Sequence, residues 1–257
     1  MASRLLSKTR YLNGLQCPKL LWISIHEPER LPEPDIATQH AFDQGRLVGE
    51  LAHQLFPDGI NVPDDDFKSN LLATKRLLKE RVTLFEAGLM VGHLFSRADL
   101  LEPVDNGRWD IIEVKSGTSV KDINIEDAAF QKYCWEQAGI PINRCYIICI
   151  NNNYVKHGAI IPEDFFVIND ITEKVAVNSE SLADKIHSYL MSLVLPGVRK
   201  HLSESIAVTP IHVLLRRIAG KVYRSIIFLL FITAVINRMN STLPGFTISP
   251  IFPLIPS

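Results

Sequence analysis

The sequence predicts an α/β fold with a mixed central sheet flanked by helices, and three features carry that prediction. The turn signature Asp105-Asn106-Gly107 stands between two apolar runs within residues 97–117, and Asn-Gly there is a strong hairpin signal because both residues tolerate positive φ. A short apolar run, Arg144-Cys145-Tyr146-Ile147-Ile148-Cys149-Ile150, suits an inner strand. Segments of helical period precede, separate and follow these runs, giving the order helix, three strands, helix, strand, strand.

From the amino end, Ser7 is a plausible helix cap, with Tyr11, Leu12, Leu15 and Leu20 at helical spacing until Pro18 interrupts them. Cys17 sits at that break, and taken alone it reads as a small buried hydrophobe. The proline-rich stretch 27–35 is a connecting loop. Residues 36–56 repeat apolar side chains with helical period up to Pro57-Asp58-Gly59. Within them Gly49 and His53 are one turn apart, so the glycine could admit a close neighbour and the imidazole could reach into a site as a metal ligand. A structural hydrogen-bonding role for His53 is the alternative.

Residues 68–81 form a second, charged helix whose Lys/Arg run reads as a solvated face. A buried strand over 82–92 carries Glu86. After the hairpin, a helix over 125–139 stops at Gly139. Cys145 and Cys149 are four apart on one strand face and read as core. A strand near 165–168 and a helix over 179–194 complete the globular part.

Composition bounds the function. The chain has 257 residues, enough for one large domain or one domain with an appendage. Its 27 basic and 28 acidic residues leave a net charge of −1, which gives no global attraction to polyanions. Nucleic-acid contact would need a local patch, and Arg4, Lys8, Arg10 and Lys19 form one in sequence. Four cysteines with no apolar signal segment behind Met1 point to a reducing, cytoplasmic compartment.

The chemistry concentrates in the hairpin. Asp99 lies on its first strand and Glu113-Val114-Lys115 on its second, with Glu113 and Lys115 on one face and Val114 on the other. A carboxylate from each strand plus the Val114 carbonyl is a hard oxygen set of the kind that holds magnesium or manganese. A lysine beside them can stabilise charge growing on a phosphate. Two surface acids and a solvated lysine are the alternative reading of so short a pattern.

Taken in order, Gly49-x-x-x-His53, Glu86, Asp99, Glu113-Val114-Lys115 and Gln131 resemble the RecB-type branch of the PD-(D/E)XK nucleases. The likeness is greatest to the CRISPR-associated adaptation exonucleases, whose amino end is also similar to Leu6-Ser7-Lys8-Thr9-Arg10-Tyr11 and Cys17-Pro18-Lys19 here. The resemblance covers about residues 5–200. It implies a restriction-endonuclease-like core and a divalent-metal-dependent deoxyribonuclease, expected to act as an exonuclease on single-stranded DNA. In it His53, Asp99, Glu113 and Val114 would hold magnesium or manganese, Lys115 would position the nucleophile, and Gln131 would support the site, as would Glu86. One departure is Trp135, where the family often has tyrosine four residues after the glutamine; Tyr133 is the nearest substitute. Many relatives also hold an iron–sulfur cluster on one early cysteine and three late ones. Cys17 fits the first, but no cysteine follows Cys149, so the cluster is expected to be absent here.

The domain organisation expected is an amino-terminal helical segment and loop over 1–35, a nuclease-like domain over 36–204, and an aberrant, irregular or partly disordered apolar tail over 205–257. The apolar block at 226–236 is too short to span a bilayer, so no stable membrane association is expected. Back-translated with permitted codons and read in a shifted frame, residues 206–224 can yield three spaced cysteines, Cys-Gly-Asn-Pro-His-Pro-Cys-Pro-Phe-Ala-Glu-Asn-Cys-Trp. That suggests a frameshift replaced a cluster-binding end. A catalytically inactive remnant, binding nucleic acid or a partner, is therefore the alternative to the nuclease.

Overall fold

The computed structural model describes residues 5–63 and 65–194, which fall within one unit, Met1–Gly197. The tail expected over 205–257 lies outside the described residues. In order, the elements are β1 (Leu6–Ser7), α1 (Lys8–Gln16), α2 (Pro18–His26), α3 (Ile36–His53), β2 (Ile60–Asn61), α4 (Phe67–Leu77) and β3 (Leu84–Val91), followed by β4 (Leu94–Pro103) and β5 (Trp109–Lys115). After these come α5 (Asp122–Gln137), β6 (Ile142–Ile150), α6 (Pro162–Phe165), β7 (Phe166–Asp170) and α7 (Thr172–Val194).

The α/β mixed sheet is present, in the order β2-β3-β4-β5-β6-β7, with β1 running parallel to β4. The hairpin forms as its sequence demands: Asn106 and Gly107 take φ of 61° and 75°, and β4 and β5 pair antiparallel. β6 then returns parallel to β5 through α5, which is why its residues are apolar on both faces.

Two hydrophobic clusters cover the two faces of the sheet. On one, Trp109 and Ile111 of β5 and Cys145, Ile147 and Cys149 of β6 pack beneath residues of α1, α2, α5 and α7. Tyr11 stacks on Phe130 with ring centroids 4.9 Å apart, tying the amino end to α5. On the other face, Val48 and Ala52 of α3 cover Phe85, Leu100, Ile112 and Ile148. Each such fully buried aliphatic contributes roughly 1.5–3 kcal/mol.

Several boundaries differ from the sequence reading for local reasons. The amino-terminal segment, read as helix and loop, also supplies the short strand β1, which pairs with β4. Ser7 does cap α1, accepting from the Arg10 amide. α5 starts at Asp122 because Asn124 Oδ1 accepts from the Lys121 amide at 2.9 Å. α7 starts at Thr172, whose amide donates to Asp170 Oδ1. Cys17, read as a buried hydrophobe, is exposed between α1 and α2. The Lys/Arg run in and after α4 is solvated, as expected.

The irregularity that shapes the site is at Glu86, whose φ is 56°. A left-handed residue inside a strand reverses the alternation, so Leu84 and Ala87 face the same cluster, and their β4 partners Leu101 and Ala98 do likewise. α4 docks on this kink through Asn70, whose Nδ2 donates to the carbonyls of Pro63 and Glu86 at 2.9 Å each. Gly88 must be glycine there, because a Cβ would stand 1.9 Å from Asn70 Oδ1.

Candidate active site

The β4–β5 ladder ends at Leu100 opposite Ile112, while β5 continues along β6 as far as Lys115 opposite Cys149. Where the strands part, Asp99 and Glu113 are left unpaired across the gap. Asp99 Oδ2 accepts from the Val114 amide at 2.9 Å, which closes the opening with a side chain in place of a backbone bond. Glu113 projects to the α5 side with Ile111, while Val114 packs with the α3 cluster.

Around Glu113 four further side chains converge. Gln131 Nε2 donates to Glu113 Oε1 at 2.5 Å and to Asp127 Oδ1 at 3.0 Å. Lys115 Nζ donates to Glu113 Oε2 at 2.7 Å and Asp127 Oδ2 at 2.8 Å. Lys8 Nζ donates to the same Glu113 oxygen at 3.1 Å and lies 3.7 Å from Asp127 Oδ1 and 3.9 Å from Asp99 Oδ1. Glu113 and Gln131 are fully buried, yet Asp99 keeps 27% of its side chain exposed. The cluster therefore has a buried floor and an open edge at Asp99.

The electrostatics follow from that burial. Burial alone would push the Glu113 carboxyl up, but Lys115 and Lys8, with hydrogen bonds from Lys115 and Gln131, hold it well below the usual range. Burial would likewise depress both ammoniums, and the carboxylates outweigh it, so Lys8 and Lys115 are held above the ordinary lysine value. Asp99 is pushed up to about 7, first by burial and then by Glu113. The Lys115 ammonium is thus favoured by its carboxylate partners, and in that form it positions groups and stabilises negative charge.

Asp99, Glu113, Lys115 and Gln131 are brought together. His53 is not: its half-buried ring stacks on Phe85, centroids 3.9 Å apart and 4° from parallel, within the α3 face of the sheet. Burial lowers its pKa, against an opposing pull from Glu50. Nor does Gly49 serve a close approach, since a Cβ there would meet nothing within 4 Å. Among the described residues no group of three or more His, Cys, Asp or Glu stands in a metal-holding arrangement. Glu86 pairs with Arg97 Nε at 3.0 Å and lines the cavity beside Asp99. Tyr133, two residues from Gln131 and about 200° around the helix, packs half-buried at the edge of the core.

Two site residues were missed in the sequence. Asp127 is four residues before Gln131, so both share one helix face, a spacing that could have found it. Lys8 was read as part of a basic patch, but its ammonium points inward, and Arg10 donates to the carbonyls of Leu5 and Ser24. A lysine 105 positions from its carboxylate leaves no local signal.

The donor chemistry of this cluster suits a hard cation: carboxylate oxygens of Asp99, Glu113 and Asp127 converge, and one cation, the Lys8 ammonium, already stands among them. A divalent ion there would be held by the two carboxylates of Asp99 and Glu113 after Lys8 moves aside; Asp127 does not complete a three-acid set with them.

No family model matches the chain, and no curated protein does. Among solved structures, LHK-Exo in complex with dAMP is 9% identical, with a TM-score of 0.44 over 80% of this chain and 95% of that one. SSO0001 is 14% identical, with a TM-score of 0.36 over 76% and 87%. Likenesses this slight carry no argument about what the chain does.

Proposed function

We propose that this protein is a divalent-metal-dependent nuclease that hydrolyses phosphodiester bonds in DNA. The observation that supports it is the convergence of Asp99, Glu113, Asp127, Lys115 and Gln131 where β4 and β5 separate, open to solvent at Asp99. Asp99 and Glu113 would hold magnesium or manganese, which supplies Lewis-acid polarisation of a phosphoryl oxygen. Gln131 and Lys115 fix the Glu113 carboxylate from two sides. Lys115, whose ammonium its carboxylate partners favour, would stabilise the negative charge that grows on the phosphate. His53 has no part in this arrangement, so the metal set is narrower than the resemblance to RecB-type nucleases implies.

A second reading is favoured by one observation: two ammoniums already neutralise the acids, as in a purely structural ion network. It predicts a folded protein that binds nucleic acid or a partner without turnover. The two readings part in a degradation assay of the full chain on single- and double-stranded DNA with magnesium or manganese. The nuclease reading expects metal-dependent cleavage, lost in Asp99→Ala and Lys115→Ala variants that remain folded. Folded wild-type protein that cleaves neither substrate with either ion removes it.

A further inference from the structure

The sheet ends at β7, whose sequence Phe166-Val167-Ile168-Asn169-Asp170 holds neither lysine nor proline, residues that commonly blunt an exposed edge. Apolar side chains stand on both its faces. Phe166 is buried in the α3 cluster, so Ile168, two residues on, shares that face, and it is 52% exposed. Val167 shares the opposite face with its β6 partner Cys149 and is 44% exposed. The strand's one charge, Asp170, is at its end, paired with Arg144 at 3.2 Å.

The ladder fixes which backbone groups are left over. The Ile171 amide donates to the Cys145 carbonyl at 2.9 Å and the Asn151 amide to the Phe165 carbonyl at 2.8 Å, both in register with the β6–β7 pairing. Alternation along an antiparallel pair then gives the bonds to β6 to Val167 and Asn169, and turns the amides and carbonyls of Phe166, Ile168 and Asp170 outward. The Phe166 amide is taken by the Pro162 carbonyl. The backbone groups of Ile168 and Asp170 have no partner beyond the sheet among the described residues.

We infer that this edge joins the same edge of a second copy of the chain, antiparallel and centred on Ile168, so that the sheet runs on through the pair. Ile168 then exchanges two hydrogen bonds with the partner's Ile168, and the Asp170 amide donates to the partner's Phe166 carbonyl. No like charges are opposed, because Asp170 lies across from the partner's Phe166, and Val167 from the partner's Asn169. The edge is its own complement under a twofold rotation, which closes the assembly at two copies. The other edge of the sheet is no match for it, since β2 has two residues. Antiparallel joining sets the twofold axis normal to the sheet, so both acid clusters lie on one face of the joined sheet. Nothing in this contact depends on the nuclease reading.

The test is sedimentation velocity of the full chain over a concentration series, with residue-resolved amide exchange on the same samples. Expected is a dimer in which the Ile168 and Asp170 amides exchange at least roughly tenfold more slowly than in the dilute monomer. The amides of Val167 and Asn169, already bonded to β6, should change little with concentration. Ile168→Lys places two ammoniums at the axis and should weaken the dimer by roughly tenfold or more. Leu72→Lys, at a 70% exposed position of α4, which packs on β3 and not on this edge, should leave the dimer as it is. A monomer at every concentration, a dimer that Ile168→Lys leaves intact, or equal slowing of all four amides overturns the inference. Should Ile168→Lys fail to fold, the exchange pattern of the wild type decides alone.

Discussion

Lys8 Nζ, in the first turn of α1, lies 3.1 Å from Glu113 Oε2, in the middle of the sheet, so the amino end of the chain supplies a positive charge to the most buried carboxylate of the site. The same ammonium also approaches Asp99 and Asp127. It stands where carboxylates converge and therefore competes with any other cation for that place.

Replacing Lys8 with methionine is expected to have two opposite effects. The metal-free protein should lose about 1–3 kcal/mol, less than a fully buried pair because the lysine side chain is about a quarter exposed. Magnesium or manganese should bind at least roughly tenfold more tightly, since no internal cation has to be displaced. Calorimetric titration of both proteins checks this, and weaker metal binding in the variant would count against a shared cation site.

Gln131 holds Glu113 and Asp127 with one amide group, buried among them. Gln131→Leu should destabilise by about 2 kcal/mol, the range for a hydrogen bond to a charged group. Gln131→Glu should cost more at neutral pH, because it adds a third buried anion beside Glu113 and Asp127, and should recover part of that loss on acidification. Denaturant unfolding at two pH values distinguishes the pair. Equal costs for both variants would mean that the amide fills space and does not hold charge.

Asp99 gives the stability a pH dependence of definite sign. Its carboxyl is pushed up to about 7 in the folded protein, against an ordinary value near 4. Between those values the folded state binds a proton that the unfolded state has lost, so this residue's contribution falls as pH rises from about 4 to about 7. Asp99→Asn should flatten the stability profile across that window. Glu113 contributes with the opposite sign, lost as pH falls, so the difference between wild type and Asp99→Asn is the quantity to measure. Proton and metal compete for the same oxygens, and metal affinity should therefore rise through pH 7.

The hairpin and the inner strand β6 were legible in sequence because both rest on local signals, Asn106-Gly107 and a run of β-branched and apolar residues. Asp99, Glu113 and Lys115 were legible as a set for the same reason, since they share one hairpin; Gln131 entered only through the resemblance to RecB-type nucleases. Lys8 was not legible, because its partner is 105 positions away and nothing near it in sequence differs from a surface lysine. β1 and β2, two residues each, are too short to show a period. The kink at Glu86 was invisible because it is imposed by α4 through Asn70, and Glu86 itself carries no intrinsic preference for positive φ.

His53 shows the other limit, since helical spacing placed it on a face but could not say which side of the sheet that face would meet. The α3 residues Val48 and Ala52 turn to Phe85, Leu100 and Ile112, and His53, one turn beyond Gly49, lands flat on Phe85. Glu113 points to the opposite cluster with Ile111. The ring is then a packing group whose pKa burial lowers. His53→Phe should preserve the stack, change stability by less than about 1 kcal/mol near neutral pH, and leave metal affinity and DNA cleavage at wild-type levels. In acid the variant should be the more stable of the two, because a folded-state pKa below the unfolded value makes stability fall as pH drops through it. His53→Ala should lose roughly 1–2 kcal/mol through the lost stacking with metal affinity again unchanged. A drop in metal affinity of tenfold or more in a well-folded His53→Phe protein would show that α3 can bring the imidazole round to Asp99, and would restore it to the metal set.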